Sequence, residues 1–355
     1  MIDVDDENSK FKKKIIAQKE NELLKILKEQ YLIKPIEFIE INRGTAKIYK
    51  VTTETGEYIL KIFSQGRTKE SIIKEVDIIN FLEERQIKVP KYKKTKNGKY
   101  YFEYNNQYAI LQEFITGYTM ENNTCEYDKV IECAAIYGKL INALKDYKGL
   151  QDEGIIEKWF SKESIEIGLK RIRELNTNLK DDNEYKSKIE QDLNFKQKIS
   201  EEILNNFNFD ILNKLTIKNS HGDYSVQQLI YNDNRETTVI DFETAKKLPI
   251  VWEVVRSYSY IDKDAKNGEF NVNTLVDYFN EFSKYVALNK YDLMYAVDIY
   301  LIQLISSVFG YKQYNENKEK KELLEFAFFR TKLCKYLYEN KNEITESLVK
   351  KVIYK

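Results

Sequence analysis

The sequence predicts an α+β protein of two lobes, with an antiparallel sheet in the β-rich N-terminal lobe and a mostly helical C-terminal lobe. Three observations predict this. Strand patterns separated by turns dominate the first 115 or so residues. Helical periodicity dominates the rest. A chain of 355 residues with 42% hydrophobic residues can also bury the cores of two lobes. We place the boundary so that residues 1–116 form the first lobe and 117–355 the second.

The elements of the first lobe follow from its apolar spacing. Apolar residues recur at helical intervals over 9–31, and Pro35 ends this helix. Alternating and β-branched residues then predict strands, and a turn at 54–57 separates the second from the third. A second helix ends before Pro90, and two further strands complete the sheet. The predicted strands are 36–41, 47–52, 58–63, 100–104 and 108–114, and the second helix is 70–86.

The second lobe is predicted to be helical with one exception. Apolar stripes indicate a helix over 127–147, two long charged helices within 162–208, and further helices from 272 onward. Between them, two short apolar runs, 229–231 and 238–240, flank a polar turn and predict a β-hairpin.

Composition limits the class of protein. The chain has 57 basic and 57 acidic residues, so it has no net charge, and we expect neither a nucleic acid nor a membrane as its partner. A single histidine excludes a site built from several imidazoles. Three cysteines without paired spacing and an N-terminus lacking an apolar signal core predict a cytoplasmic protein. The oligomeric state stays open.

The strongest cluster of polar residues flanks the predicted hairpin. Asp223 and Gln228 precede its first arm, and Asp241 follows its second. Because a hairpin brings the ends of its arms together, we expect these three side chains to lie within reach of one another. Carboxylate and amide oxygens suit Mg²⁺, and phosphoryl transfer needs both the metal and a carboxylate near the attacking hydroxyl. The alternative is that both aspartates are solvated turn residues.

A lysine and a glutamate form the second cluster. Lys61 interrupts the apolar run of the third strand, and Glu75 lies on the helix that follows. A lysine there can reach into a cleft toward phosphates, and the carboxylate can hold its ammonium. The alternative is an edge-strand lysine that faces water.

Together these motifs resemble the aminoglycoside phosphotransferase and choline kinase-like family, and the order of elements resembles its homoserine kinase-like branch. The resemblance implies a bilobal protein kinase-like fold. It also implies that Lys61 binds phosphates, that Glu75 is the helix glutamate, and that the chain segment between the lobes holds a purine through its backbone. The implied phosphate-loop residues are Gly44 and Thr45, and the implied purine-holding residues are Gln112, Glu113, Phe114 and Ile115.

The same resemblance assigns the chemistry. Asp223 corresponds to the catalytic base, and Asp241 with Gln228 to the Mg²⁺ ligands, although most members have Asn in place of Gln228. A single glycine in the phosphate loop is a second departure. The resemblance gives supporting roles to His221, Ser225 and Glu243, with His221 structural.

The implied activity is transfer of the γ-phosphate of ATP or GTP to a hydroxyl of a small molecule. An aminoglycoside-type antibiotic, an amino alcohol, homoserine and a sugar all stay open as acceptors. The alternative from another class is a kinase-like nucleotide-binding scaffold of the spore-coat type, with weak or no catalysis. A protein-serine kinase ranks lower because no Ala-Pro-Glu sequence ends an activation segment.

Overall fold

The computed structural model describes residues 22–41, 46–180, 184–234 and 236–354. The chain divides into two compact units. The first consists of residues up to Tyr118 together with Ile230–Glu243, and the second of Thr119–Leu229 together with the chain from Thr244 onward.

The segment Ile230–Glu243 is where this division departs from the predicted lobes, which placed it in the helical lobe. Its backbone bonds explain the departure. Tyr118 and Tyr231 exchange two N–H···O bonds of 2.9 Å, and the Val239 N–H donates to the Lys88 carbonyl at 2.9 Å. Bonds between residues more than 100 positions apart leave no signal in the local sequence.

The first unit contains a five-stranded antiparallel sheet in the order β1-β2-β3-β5-β4. One helix covers each face. The described part of the first helix, α1, spans 22–31. The other elements are β1 Pro35–Ile41, β2 Lys47–Thr53, β3 Gly56–Ile62, α2 Lys69–Glu83, β4 Phe102–Tyr104 and β5 Gln107–Glu113.

Alternation along β3 decides which side chain faces which helix. Leu60 lies in the buried cluster formed by α1 and one sheet face, and it pairs with Leu111 across the strands. Lys61 pairs with Ile110, which packs with α2 on the opposite face. Because successive side chains of a strand point to opposite faces, Lys61 lies on the α2 side of the sheet.

The second unit is mostly helical, as the sequence predicts. Its longest helix, α11, packs along α9, and two strands, β6 and β9, pair in antiparallel fashion. The helices are α3 Tyr127–Leu144, α4 Ile155–Phe160, α5 Lys162–Thr177, α6 Lys186–Asn206, α7 Ile250–Ile261, α8 Val272–Ser283, α9 Lys290–Ile305, α10 Tyr311–Glu316 and α11 Lys321–Lys351. The strands are β6 Ile217–Ser220 and β9 Lys246–Pro249. The predicted hairpin is present as β7 Leu229–Tyr231 and β8 Thr237–Val239, and all of it except Leu229 belongs to the first unit.

Two of the predicted helical segments lie outside the described residues. They are the first part of the N-terminal helix, 9–21, and the joint at 181–183 between the two charged helices. Across the described ranges, no helix combines the length and apolarity that crossing a membrane requires.

Candidate active site

Lys61 lies at the centre of an ion-pair cluster in the first unit. Its Nζ is 3.3 Å from Asp241 Oδ1 and 4.0 Å from Glu243 Oε2. Burial disfavours the charged ammonium, but attraction to Asp241, Glu75 and Glu243 outweighs it and raises the pKa of Lys61. The lysine therefore stays charged and holds two acidic residues that lie 180 or more positions away in the sequence.

Glu75 does not hold the Lys61 ammonium directly, contrary to the expectation from the sequence. Its carboxylate accepts from Arg67 Nη2 at 2.5 Å and from the Tyr92 hydroxyl at 2.8 Å. Burial raises the pKa of Glu75, although Lys61 and Arg67 both oppose that rise. Lys61 and Glu75 therefore attract each other electrostatically. Each of these two described side chains forms its ion pair with another residue.

Arg67 is a residue of this cluster that the sequence reasoning missed. Besides Glu75, its guanidinium binds Glu243 Oε1 at 2.9 Å, and it stacks over the Phe63 ring with its central carbon 5.0 Å from the ring centre. Only 8% of its side chain is exposed, and its Nε has no hydrogen-bond partner among the described residues. The sequence did contain one signal for its location. Threonine is a typical N-cap residue, and Thr68 caps α2, so Arg67 lies directly before the start of this helix.

Asp241 has a strained backbone. Its φ of +68° lies in the left-handed region, which non-glycine residues adopt at a cost of about 1–3 kcal/mol and which is common at functional sites. The side chain is 44% exposed, so the strain presents a carboxylate at the surface of the unit beside the Lys61 ammonium. The hairpin and the following turn position Asp241 in this way.

The second unit contains the loop with the other predicted carboxylate. Gly222 has a φ of +83°, and a Cβ at this position would lie 2.2 Å from the Thr244 carbonyl oxygen, so only glycine fits. His221 is fully buried, and its carbonyl accepts from the Thr244 hydroxyl at 3.1 Å. The Asp223 side chain, in contrast, is 42% exposed. The loop therefore buries the side chain of His221 and exposes the carboxylate of Asp223.

Helix α7 holds this loop through two charged side chains that the sequence reasoning did not single out. Glu253, fully buried, accepts from the Tyr224 N–H at 2.8 Å, from the Tyr137 hydroxyl at 2.9 Å, and from Ser220 Oγ. Arg256 donates to the Asp223 carboxylate and, at 3.2 Å, to the Tyr224 carbonyl. Neither residue stands out locally, because their roles follow from the packing of α7 against the loop.

Gln228 is also placed by its neighbours in the second unit. Its Oε1 accepts a hydrogen bond from Ser225 Oγ. The same hydroxyl accepts from the Gln227 N–H at 3.3 Å and so caps the single helical turn Val226–Gln228. The predicted supporting residue Ser225 therefore orients the amide of the predicted metal ligand.

The predicted metal ligands fall in different units, Asp241 in the first and Gln228 in the second. Within the described ranges, no three or more His, Cys, Asp and Glu side chains gather into a site that could hold a metal alone. Magnesium is usually held by one or two carboxylates, waters and substrate phosphates. A carboxylate and an amide oxygen therefore fit Mg²⁺ when phosphates supply the remaining ligands.

The purine-holding segment is described, whereas the predicted phosphate-loop residues Gly44 and Thr45 lie outside the described residues. The Glu113 N–H donates to the Lys91 carbonyl at 2.8 Å, and the Phe114 N–H to the Glu57 carbonyl at 3.2 Å. The N–H of Ile115 has no partner among the described residues. Gln112 pairs with Ile59 within the sheet.

Comparison with known proteins identifies the family of this chain. The model of the APH phosphotransferase enzyme family matches residues 37–286, which include all the candidate residues named above. A search among curated proteins gives no match.

Solved structures with the same fold are numerous. One is an amicoumacin kinase in complex with AMP-PNP and Ca²⁺, with 15% identity over 91% of this chain and 96% of that chain and a TM-score of 0.60. A spectinomycin phosphotransferase in complex with ADP and its antibiotic has 15% identity, covers 92% and 98% of the two chains, and has a TM-score of 0.62. A choline kinase from Streptococcus pneumoniae has 13% identity, covers 91% and 99%, and has a TM-score of 0.55.

Proposed function

We propose a mechanism and an acceptor class for this chain, which belongs to the APH phosphotransferase enzyme family. The predicted family, the protein kinase-like α+β fold and the enzyme class, a small-molecule kinase, are confirmed. The proposal concerns the roles of individual residues, the metal, the nucleotide and the acceptor.

One observation carries the proposal. Lys61 and Asp241 lie 3.3 Å apart although 180 positions separate them in the sequence. A charged strand lysine beside an exposed carboxylate is the pairing that phosphoryl transfer needs, with the lysine for the α- and β-phosphates and the carboxylate for their metal. In this proposal ATP displaces part of the present ion pair, because its phosphates compete with Asp241 for the ammonium.

Mg²⁺ is the metal we propose, with Asp241 and Gln228 as its protein ligands. When bound, it supplies positive charge that neutralises the phosphates during transfer. The chain's own contribution is orientation. The strained turn holds the Asp241 carboxylate outward, and Ser225 fixes the direction of the Gln228 amide.

Asp223 is the residue we propose to act on the acceptor. Its exposed carboxylate would accept a hydrogen bond from the attacking hydroxyl, orient it toward the γ-phosphate, and take its proton late in the transfer. The buried His221 supports the loop and takes no part in proton transfer, since its side chain is fully buried.

ATP is the donor we propose, with the Ile115 N–H as one hydrogen-bond donor to its purine. The complexes of the structural relatives with AMP-PNP and ADP support an adenine nucleotide. The same segment contains Gln112, Glu113 and Phe114. The N–H groups of Glu113 and Phe114 already donate hydrogen bonds within the first unit. A cytoplasmic location remains our proposal from the number and spacing of the cysteines.

The acceptor we propose is a small molecule with a free hydroxyl, and an antibiotic or an amino alcohol is favoured. Relatives with this fold act on spectinomycin and choline, which supports both classes without choosing between them. Homoserine and sugars are the remaining candidates. A nucleotide-consumption screen over antibiotics, amino alcohols, amino acids and sugars tests the proposal, and turnover with one class decides it.

The matched control in that screen is Asp223→Asn. It keeps the size of the side chain but removes the carboxylate, so we expect turnover to fall by about 100-fold or more. Nucleotide binding, measured by titration calorimetry, should change little. Turnover equal to that of the unmodified enzyme would remove Asp223 from the mechanism.

A further inference from the structure

Two oppositely charged side chains one turn apart on α7 hold the loop that contains Asp223. Glu253 accepts from the Tyr224 N–H, and Arg256 donates to the Tyr224 carbonyl. Residues three apart lie on the same face of a helix. One helix therefore forms hydrogen bonds with both the N–H and the carbonyl of Tyr224, the residue next to Asp223.

We propose that Arg256 is a positioning residue for phosphoryl transfer, which acts by holding the Asp223 carboxylate in the orientation that receives the acceptor hydroxyl. This inference rests on the proposed function of Asp223. It goes beyond it because neither the sequence motifs nor the role of Asp223 requires a cation at this place.

The surroundings of Arg256 favour a fixed guanidinium. Its central carbon lies 5.0 Å from the ring centre of Tyr260 and 5.8 Å from that of Trp252, on the same helix. Every other residue of α7 is buried, and Arg256 forms the ion pair with the exposed Asp223 carboxylate. Burial disfavours its charge, but the combined attraction to Asp223, Tyr260, Tyr300 and Glu253 outweighs this and raises the pKa of Arg256. The guanidinium therefore stays charged.

Arginine suits this task better than lysine. Its planar fork can bind a carboxylate and a carbonyl at once and can stack on aromatic rings, whereas an ammonium is a point charge on a flexible stem. Here one fork binds Asp223 Oδ1 and the Tyr224 carbonyl together. An exposed aspartate without this partner would sample several rotamers, and only some of them would present an oxygen to the acceptor.

The positive charge also has a chemical consequence. Asp223 must lie close to the nucleotide phosphates during transfer, and like charges in a site of low dielectric repel strongly. The guanidinium offsets the negative charge of the carboxylate. The arrangement binds one carboxylate oxygen, Oδ1, and leaves Oδ2 for the acceptor hydroxyl.

The test compares Arg256→Lys and Arg256→Met with the unmodified enzyme in steady-state kinetics, using the acceptor identified by the screen. We expect kcat to fall about 100-fold in Arg256→Met and less in Arg256→Lys, because misplacing a catalytic group by about 1 Å can cost that much. The KM for ATP should change less than twofold. Lys341→Met is the matched control, since it removes the cation of another partly exposed pair, with Asp298 at 3.0 Å, away from the loop.

Chemical rescue separates positioning from folding. Added guanidinium at millimolar concentration should restore part of the rate of Arg256→Ala and none of the rate of Asp223→Asn. A folded Arg256→Met enzyme with kcat within twofold of the unmodified enzyme would overturn the inference. So would losses that equal those of Lys341→Met with no rescue. An unmodified protein that turns over no acceptor would overturn the proposed function as well, which distinguishes the two failures.

Discussion

At the scale of single residues, the most informative contact is the one between Arg67 and Glu75. A lysine in a strand and a glutamate on the next helix are visible in the sequence, and both lie on the predicted elements. Their direct partners were not predictable. Arg67 follows β3 in a loop, and its reach to Glu75 and Glu243 depends on how the loop folds back over Phe63.

Replacing Arg67 with Met should destabilise the protein by about 3 kcal/mol, because it leaves the buried Glu75 carboxylate without its cation. Chemical denaturation followed by fluorescence measures this. Lys50→Met is the matched control, because its pair with Glu57 at 2.6 Å is partly exposed and should contribute less than about 1 kcal/mol. Equal losses in the two variants would show that Arg67 has no special role.

At the scale of elements, two short turns place the candidate carboxylates. The hairpin was predictable because two apolar runs flank a polar turn, a local signal. Its docking beside Tyr118 and Lys88 was not, since those backbone bonds join distant parts of the chain. The hydrogen bonds between α7 and the Asp223 loop were likewise not predictable from the sequence, because they depend on which face of that helix is turned toward the loop.

Gly222→Ala tests the turn before Asp223. The added Cβ would meet the Thr244 carbonyl oxygen at 2.2 Å, so the loop must shift, and we expect the transfer rate to fall about 100-fold. Gly98→Ala is the matched control. It has a similar φ of +76° but no atom within 4 Å of the added Cβ.

The control should lose about 1 kcal/mol of stability and keep its rate, because it carries strain without a collision. Rates and unfolding free energies of both variants are measured side by side. A Gly222→Ala enzyme that loses only as much activity as Gly98→Ala would contradict the role assigned to this turn.

At the scale of the whole molecule, a buried lysine links stability to pH. Lys196 donates to the carbonyls of Leu304 and Ser307 at 2.9 and 2.8 Å, and burial lowers its pKa to about 8. In the unfolded chain its pKa is about 10.4. Between these two values the unfolded state binds more protons, so this group's contribution to stability rises as pH increases.

Cys334 acts in the opposite direction, since burial raises the pKa of its thiol to about 11. The measurement is therefore made in a Cys334→Ala background. There, protein with Lys196 should gain up to roughly 3 kcal/mol relative to Lys196→Met as pH rises from 7 to 10. Urea denaturation at the two pH values measures it. A constant difference, or one of opposite sign, would contradict the assignment.

Binding of nucleotide distinguishes the enzyme from the scaffold alternative. A ligand at 100 times its Kd stabilises the native state by about 2.7 kcal/mol, which raises Tm by several degrees. We expect ATP with Mg²⁺ to stabilise the protein more than ATP alone, and Asp241→Asn to lose that difference while Asp223→Asn keeps it. Thermal unfolding followed by fluorescence measures it, and equal stabilisation with and without Mg²⁺ would favour a scaffold.

Periodicity and short motifs are local properties, so they predict the strands of the first unit, the hairpin, the family, and the positions of Lys61, Asp223 and Asp241. They did not predict α7 or the pairing of β6 with β9. Which cation pairs with which carboxylate depends on how the chain folds in three dimensions. Lys61 pairs with Asp241, Arg67 with Glu75, and Arg256 with Asp223. The reason is that Coulomb attraction and hydrogen bonding act across space over a few ångströms, and chain folding alone determines which distant residues come that close.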